Sequence, residues 1–211
     1  MEVFEYGHLD AGIVLIQPVD SHELSLIENE VRAVRALTDK DFSLTAVKVS
    51  DWNRELSPWE APAVFGNEAF GGGADEFLEK ILGLTEDRSK TCFIGGYSLA
   101  GLFALWAVYQ TDLFSGAAAA SPSVWFPRFT EYMKNQQIRC SSVYLSIGDK
   151  EEKTRNAVMS TVGERIREAD ALLHSQGINH TLEINKGNHF CEPDLRTAKA
   201  FAWVMEHSEK I

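Results

Sequence analysis

Ser98 stands in the run Gly95-Gly96-Tyr97-Ser98-Leu99-Ala100-Gly101, directly after the apolar stretch Thr91-Cys92-Phe93-Ile94 and directly before a long apolar segment, Leu99 to Tyr109. A serine held at the tip of a strained strand-to-helix turn needs residues without bulk two positions before and two after it, because a larger side chain would strike the neighbouring backbone. Gly96 and Ala100 meet that need, Ala100 departing from the usual G-x-S-x-G spacing by one methyl. The glycines fit neither the G-x-G-x-x-G spacing of a dinucleotide turn nor a phosphate loop, which requires a following Lys-Ser or Lys-Thr. The bland alternative is a serine that only caps the helix. The chemistry expected at Ser98 is nucleophilic attack, and a hydroxyl becomes competent for that only when a base takes its proton.

The base must be a histidine delivered by a later strand-end loop. Of the six histidines, His174 ends a surface helix, His180 opens a strand at the wrong end, His207 lies near the terminus, and His8 and His22 lie before or on the first helix. His189, in Lys186-Gly187-Asn188-His189-Phe190, falls between the last strand and the last helix and is the expected base. A carboxylate must then fix the imidazole tautomer. Gly148-Asp149-Lys150-Glu151-Glu152 follows the apolar run Val143 to Ile147; Asp149 is close to the strand end, whereas Glu152 and Lys153 read as the start of a charged helix. Glu151 lies midway with the longer reach and is the expected acid, with Asp149 second. An oxyanion formed at Ser98 would face the N–H of Leu99, and a second donor is expected from Gln17-Pro18-Val19-Asp20, where proline has no N–H and Val19 is therefore chosen.

These residues need elements to position them. Ile13 to Ile16 is a short apolar run, and Leu24, Ile27, Val31 and Val34 repeat at helical spacing after a capping pair, Asp20 and Glu23. Phe42 to Val49 reads as a strand, Ser50 to Gly73 as an irregular insert, Asp75 to Leu82 as a helix and Thr91 to Ile94 as a strand. Leu99 to Tyr109, apolar nearly all round, marks an enclosed helix. Phe114 to Ala120 and Val143 to Ile147 follow as strands, Val158 to Leu173 as a helix stopped by Gly177, Thr181 to Ile184 as a strand, and Asp194 to His207 as the last helix. The alternation predicts one α/β domain over residues 1–211: a three-layer α/β/α sandwich with a mostly parallel central sheet and its site at the carboxyl ends of the strands.

The chain has 211 residues, 20 Lys+Arg against 31 Asp+Glu for a net charge of −11, and 45% hydrophobic residues. A chain of this size buries roughly 70% of its unfolded surface, enough for a core without disulfides or structural metal. The acidic balance and the lack of a basic stripe exclude nucleic acid as an expected partner and argue against an anionic membrane. Cys92, Cys140 and Cys191 are widely spaced, without the pairing of a zinc site or disulfide framework. The run Ile13 to Ile16 is far shorter than a signal core or a membrane span of ~20 residues, so a soluble, cytoplasmic protein is expected.

The order Ser98, Glu151, His189 is that of α/β-hydrolases and differs from the chymotrypsin and subtilisin orders. Nearly the whole chain resembles that superfamily, and within it the esterase group that includes siderophore (enterochelin-type) esterases, esterase D and feruloyl esterases. The resemblance rests on Gly96-Tyr97-Ser98-Leu99-Ala100-Gly101-Leu102, on Ser121-Pro122-Ser123-Val124-Trp125, on Gly148-Asp149-Lys150-Glu151 and on Gly187-Asn188-His189-Phe190. It implies an acid three residues after the strand-ending glycine, which favours Glu151. The expected activity is a serine esterase acting on a small-molecule ester, which needs no metal or organic cofactor, and in 211 residues the elements leave no stretch long enough for a lid domain. Asn53 and Arg54 occupy a corresponding loop, where Arg54 is a candidate for an anionic substrate group or for pairing with Glu55 or Glu60. Trp52, Trp59 and Trp125 lie in loops after strands and are candidates to line a pocket, or simply to cover the sheet. The same triad would also serve acyl transfer or thioester cleavage, and the same fold a non-catalytic binding protein.

Overall fold

The computed structural model describes residues 1–85 and 87–208. In chain order the elements are β1 (Glu2–Gly7), β2 (Ile13–Val19), α1 (Ser21–Leu37), β3 (Ser43–Lys48), α2 (Trp52–Glu55), β4 (Glu60–Ala61), β5 (Phe70–Gly71), α3 (Ala74–Leu82), β6 (Thr91–Tyr97) and α4 (Ser98–Gln110). There follow β7 (Phe114–Ala120), α5 (Phe129–Asn135), β8 (Ser142–Gly148), a 3₁₀ turn (Met159–Thr161), α6 (Val162–Ser175), β9 (Asn179–Asn185) and α7 (Pro193–His207).

Seven strands form one sheet in the order β1-β3-β2-β6-β7-β8-β9, while β4 and β5 pair separately inside the insert. Only β1 runs antiparallel, against β3; every other pairing in the large sheet is parallel. The chain leaves the centre after β2, returns to it with β6, and then proceeds outward on the other side. A strand order that reverses in this way opens a crevice at the carboxyl ends of the two strands flanking the reversal, β2 and β6.

Successive strand residues point to opposite faces, and the core divides accordingly. Leu15, Phe93, Ala118 and Ala120 pack with Ile27, Val31, Phe201 and Val204 under α1 and α7. Ile16, Ile94, Ala117 and Ala119 pack on the other face with Phe77, Phe103, Phe129 and Ile166, under α3, α4, α5 and α6. Helix α4 is buried from Leu99 through Tyr109, as an all-round apolar segment must be when it lies against the sheet centre. Asp20 and Glu23 form the expected capping box on α1. The buried stripe of that helix also carries Glu30, which accepts from the Gln17 amide at 3.2 Å while its other oxygen has no partner among the described residues.

Several boundaries differ from expectation. Strand β2 runs on through Pro18 to Val19, so Val19 is a strand residue in register with Lys48 and not a loop residue. Proline is tolerated there although β2 is internal. β1, an edge strand, and α5 were not expected. The charged helix expected at Glu152 and Lys153 is absent: residues 152–158 are loop and turn, Val158 is exposed, and α6 begins at Val162. The insert is partly regular, with α2 capped by Asp51 and the small β4–β5 pairing. Among the described residues no helix is long and apolar enough to cross a membrane.

Candidate active site

Ser98 opens α4 with φ of 57°, a left-handed conformation that a non-glycine residue adopts only under constraint from its surroundings. The constraint is local packing. A Cβ on Gly96 would lie 2.7 Å from the Ala100 Cβ and 3.1 Å from the Ala100 carbonyl carbon, so the turn closes only over glycine. Leu99 N–H is among the donors that the first helical turn leaves without an intrahelical acceptor.

The loop after β9 brings His189 Nε2 to 2.9 Å from Ser98 Oγ, and the loop after β8 brings Glu151 Oε2 to 2.8 Å from His189 Nδ1. A carboxylate at Nδ1 fixes the neutral tautomer with its proton there, leaving Nε2 to accept from the serine hydroxyl. Ser98 Oγ also lies 3.3 Å from Ser123 Oγ. Asp149, the second candidate acid, does not reach His189; its carboxylate accepts from Gly187 N–H at 2.9 Å. His174 and His180 face one another on the far end of the sheet, and His207 stacks on Trp203.

Glu151 is held from behind. Its side chain is only 3% exposed, and Oε1 accepts three hydrogen bonds: from Gly148 N–H at 2.7 Å, Ser121 hydroxyl at 2.8 Å and Arg196 Nη1 at 2.9 Å. Burial by itself would raise the pKa of this carboxyl. The hydrogen bond and charge of His189, with the donors of Gly148 and Ser121, outweigh that penalty and hold it below the ordinary carboxylate range. Arg196 comes from the first turn of α7 and is equally buried. Nη1 also reaches Tyr97 Oη and Ser121 Oγ, and Nη2 donates to Lys186 O and Asn188 O, tying the chain leading into His189 to the acid. Tyr97, pushed up to about 12 by burial and so protonated, donates to the His189 carbonyl at 2.8 Å. Sequence reasoning missed Arg196. The available signal was its place at i, i+4 and i+8 with Ala200 and Val204 on the buried stripe of α7, where an arginine has no reason to sit without a buried partner.

Beside His189 lies a cavity of about 470 Å³ whose lining includes Ser121, Trp125 and Glu151. Trp125 is therefore brought to the site, wedged against Phe65 and Phe70 of the insert. Trp52 and Arg54 are not. Trp52 lines a separate depression with Ser50, Asp51 and Glu68, and Arg54 pairs with Glu76 at 3.1 Å, rather than with Glu55 or Glu60, while its stem packs under Gly71 and Gly73. Trp59 packs on Phe126, Phe129 and Tyr132 and donates its indole N–H to Pro127 O, a covering role. Val19, the expected second oxyanion donor, is buried at the end of β2 with its carbonyl accepting from Val49 N–H.

No family model matches this sequence, and no curated protein matches it significantly. Solved structures do. An IroE-like serine hydrolase from Shewanella oneidensis superposes with a TM-score of 0.76 at 15% identity, over 95% of this chain and 74% of that one. The siderophore hydrolase EstA from Aspergillus nidulans gives 0.69 at 16% identity, over 93% of this chain and 82% of that one. The fold is that of the α/β-hydrolases. A carboxylesterase from Bacillus cereus shares it with a TM-score of 0.61 and 16% identity, over 98% of this chain and 94% of that one. Read on the α/β-hydrolase sheet, Ser98 follows β6, Glu151 follows β8 and His189 follows β9, all at the carboxyl edge.

Proposed function

We propose that this chain is a serine hydrolase of carboxylic esters, acting on small-molecule esters. The observation that carries the reading is the unbroken hydrogen-bond chain from Ser98 through His189 to a buried, ionised Glu151, with the serine in a left-handed turn at the crevice. The similar solved structures, a serine hydrolase, a siderophore hydrolase and a carboxylesterase, support the same reading.

In this reading Ser98 Oγ attacks the ester carbonyl as its proton passes to His189 Nε2, and Glu151 stabilises the imidazolium. The oxyanion of the tetrahedral intermediate receives Leu99 N–H, with the carboxyl end of β2, where Val19 sits, on its other side. The imidazolium returns its proton to the departing alcohol, and a water activated by the same histidine then hydrolyses the acyl-enzyme. The test is direct. Ser98→Ala should remain folded and lose about 10³-fold or more in kcat on a short p-nitrophenyl ester, and a fluorophosphonate probe should label the parent chain at Ser98. Undiminished hydrolysis by Ser98→Ala refutes the reading.

A further inference from the structure

The cavity beside His189 has a charge that the whole molecule does not. The chain carries a net charge of −11, yet Lys150, Lys153 and Arg155 all lie on the wall of this cavity. Among the described residues none of the three forms an ion pair or a side-chain hydrogen bond. Nearby acids are engaged: Glu151 by Arg196 and His189, Glu152 by Arg167 at 3.5 Å, and Asp149 by Gly187 N–H. The segment carrying the cations is not a loose loop. Lys150 N–H donates to Gly187 O, Lys153 N–H donates to Lys150 O, and the Asn156 amide donates to Val64 O of the insert.

The same cavity has apolar lining. Trp125 and the half-buried Met159 contribute to it, with Phe190, edge-on to the His189 ring and 85% exposed. A cavity lined by both apolar side chains and unpaired cations matches a ligand that is apolar along its length and anionic at one end.

We propose that this cavity selects esters bearing a carboxylate at the end of an apolar arm, the arm lying against Trp125, Met159 and Phe190 and the carboxylate meeting Lys150, Lys153 and Arg155. This rests on the reading of Ser98 as a hydrolytic nucleophile, so binding and turnover are tested separately. Calorimetry with 5-phenylpentanoate against its neutral amide reads the cavity without any turnover. The carboxylate should bind about tenfold more tightly, and the preference should shrink in Lys153→Glu/Arg155→Glu and between about 50 and about 500 mM salt. In kinetics, the p-nitrophenyl monoester of glutarate should exceed p-nitrophenyl pentanoate by a similar factor in kcat/KM, with Ser98→Ala as the blank.

Equal affinity for acid and amide, no binding of either, or a preference that survives charge reversal overturns the proposal. Ser98-dependent hydrolysis without any carboxylate preference also overturns it, and leaves the proposed activity standing. Hydrolysis that survives Ser98→Ala overturns the underlying reading instead.

Discussion

Replacing Glu151 with glutamine keeps the shape of the side chain and removes its charge, and the structure makes the consequence larger than loss of the proposed orienting acid alone. The amide oxygen can keep the three donors now at Oε1, Gly148 N–H, Ser121 and Arg196. Arg196, however, is left as a buried cation without a counter-charge. Removing one partner of a buried ion pair typically costs about 3–5 kcal/mol, and the retained hydrogen bonds place this variant near about 3 kcal/mol. For a domain of this size that is a fall in Tm of about 6–12 °C. On the other side, the glutamine NH₂ faces His189 Nδ1 and donates to it, forcing the tautomer that carries its proton on Nε2 and cannot accept from Ser98. Activity should fall about 10³- to 10⁴-fold. Arg196→Met alone leaves a buried carboxylate short of a cation and should also destabilise. Its catalytic loss should be smaller, about tenfold or less, and the acid limb of its pH–rate profile should move to higher pH, because an unshared carboxylate stabilises the imidazolium more. Combining the two removes both charges together. The double variant should be at least about 2 kcal/mol more stable than the sum of the single losses, while remaining as inactive as Glu151→Gln. Denaturant unfolding of the four proteins, with ester turnover measured alongside, decides it. Additive stabilities within about 0.5 kcal/mol, or a Glu151→Gln protein that turns over normally, would refute the coupling described here.

Other outcomes follow from the same packing. Gly96→Ala places a methyl against Ala100 and should cost about 1–3 kcal/mol of stability along with activity, and Ala100→Gly in the same chain should restore part of it; failure of any rescue would show that the Ala100 backbone, not its methyl, sets the limit. Burial, which dominates, raises Glu23 to about 8 and Glu30 well above the ordinary range. The folded state therefore binds protons that the unfolded state has released, so stability is full below the ordinary carboxylate range and declines as pH rises from there towards about 8, by about 1.4 kcal/mol per pH unit for each such proton. Glu23→Gln/Glu30→Gln should flatten that decline, and a parent protein equally stable at pH 5.5 and 8 would contradict it. Glu151 acts oppositely: its lowered pKa gives stability that is present above the ordinary carboxylate range and lost on acidification through the lowered value, so Glu151→Gln should weaken the acid-side fall.

How far the sequence reached depended on whether local pattern or distant partners decided a residue's role. The strand, small residues and apolar helix around Ser98 are local, and the turn was legible from them. His189 was found by position, because a strand-end loop before the last helix can only open at the carboxyl edge. Arg196 was not, since its role depends on a carboxylate 45 positions earlier in the chain and a tyrosine almost a hundred positions earlier. The misplaced helix at Glu152 has the same cause. The run Glu151-Glu152-Lys153 has helical composition, but Glu151 is turned inward by its contacts and breaks the outward-facing pattern that such a helix would require. β1 carries a weak signal because it is an edge strand with one wet face, and Val19 reads as a loop residue because the unbroken apolar run ends at Ile16, although the strand continues through Gln17 and Pro18.

The link between Asn156 and the Val64 carbonyl joins two chain segments that arise from opposite sides of the sheet, the insert after β3 and the segment after β8. With Phe65 lodged against Trp125, the insert braces the cavity from behind its lining. For a protein engineer the insert and the segment after β8 are thus a matched pair of loops. Exchange of either one alone should leave the other without its brace, and because the segment after β8 also carries Glu151, exchanging it changes the cavity and the setting of His189 together.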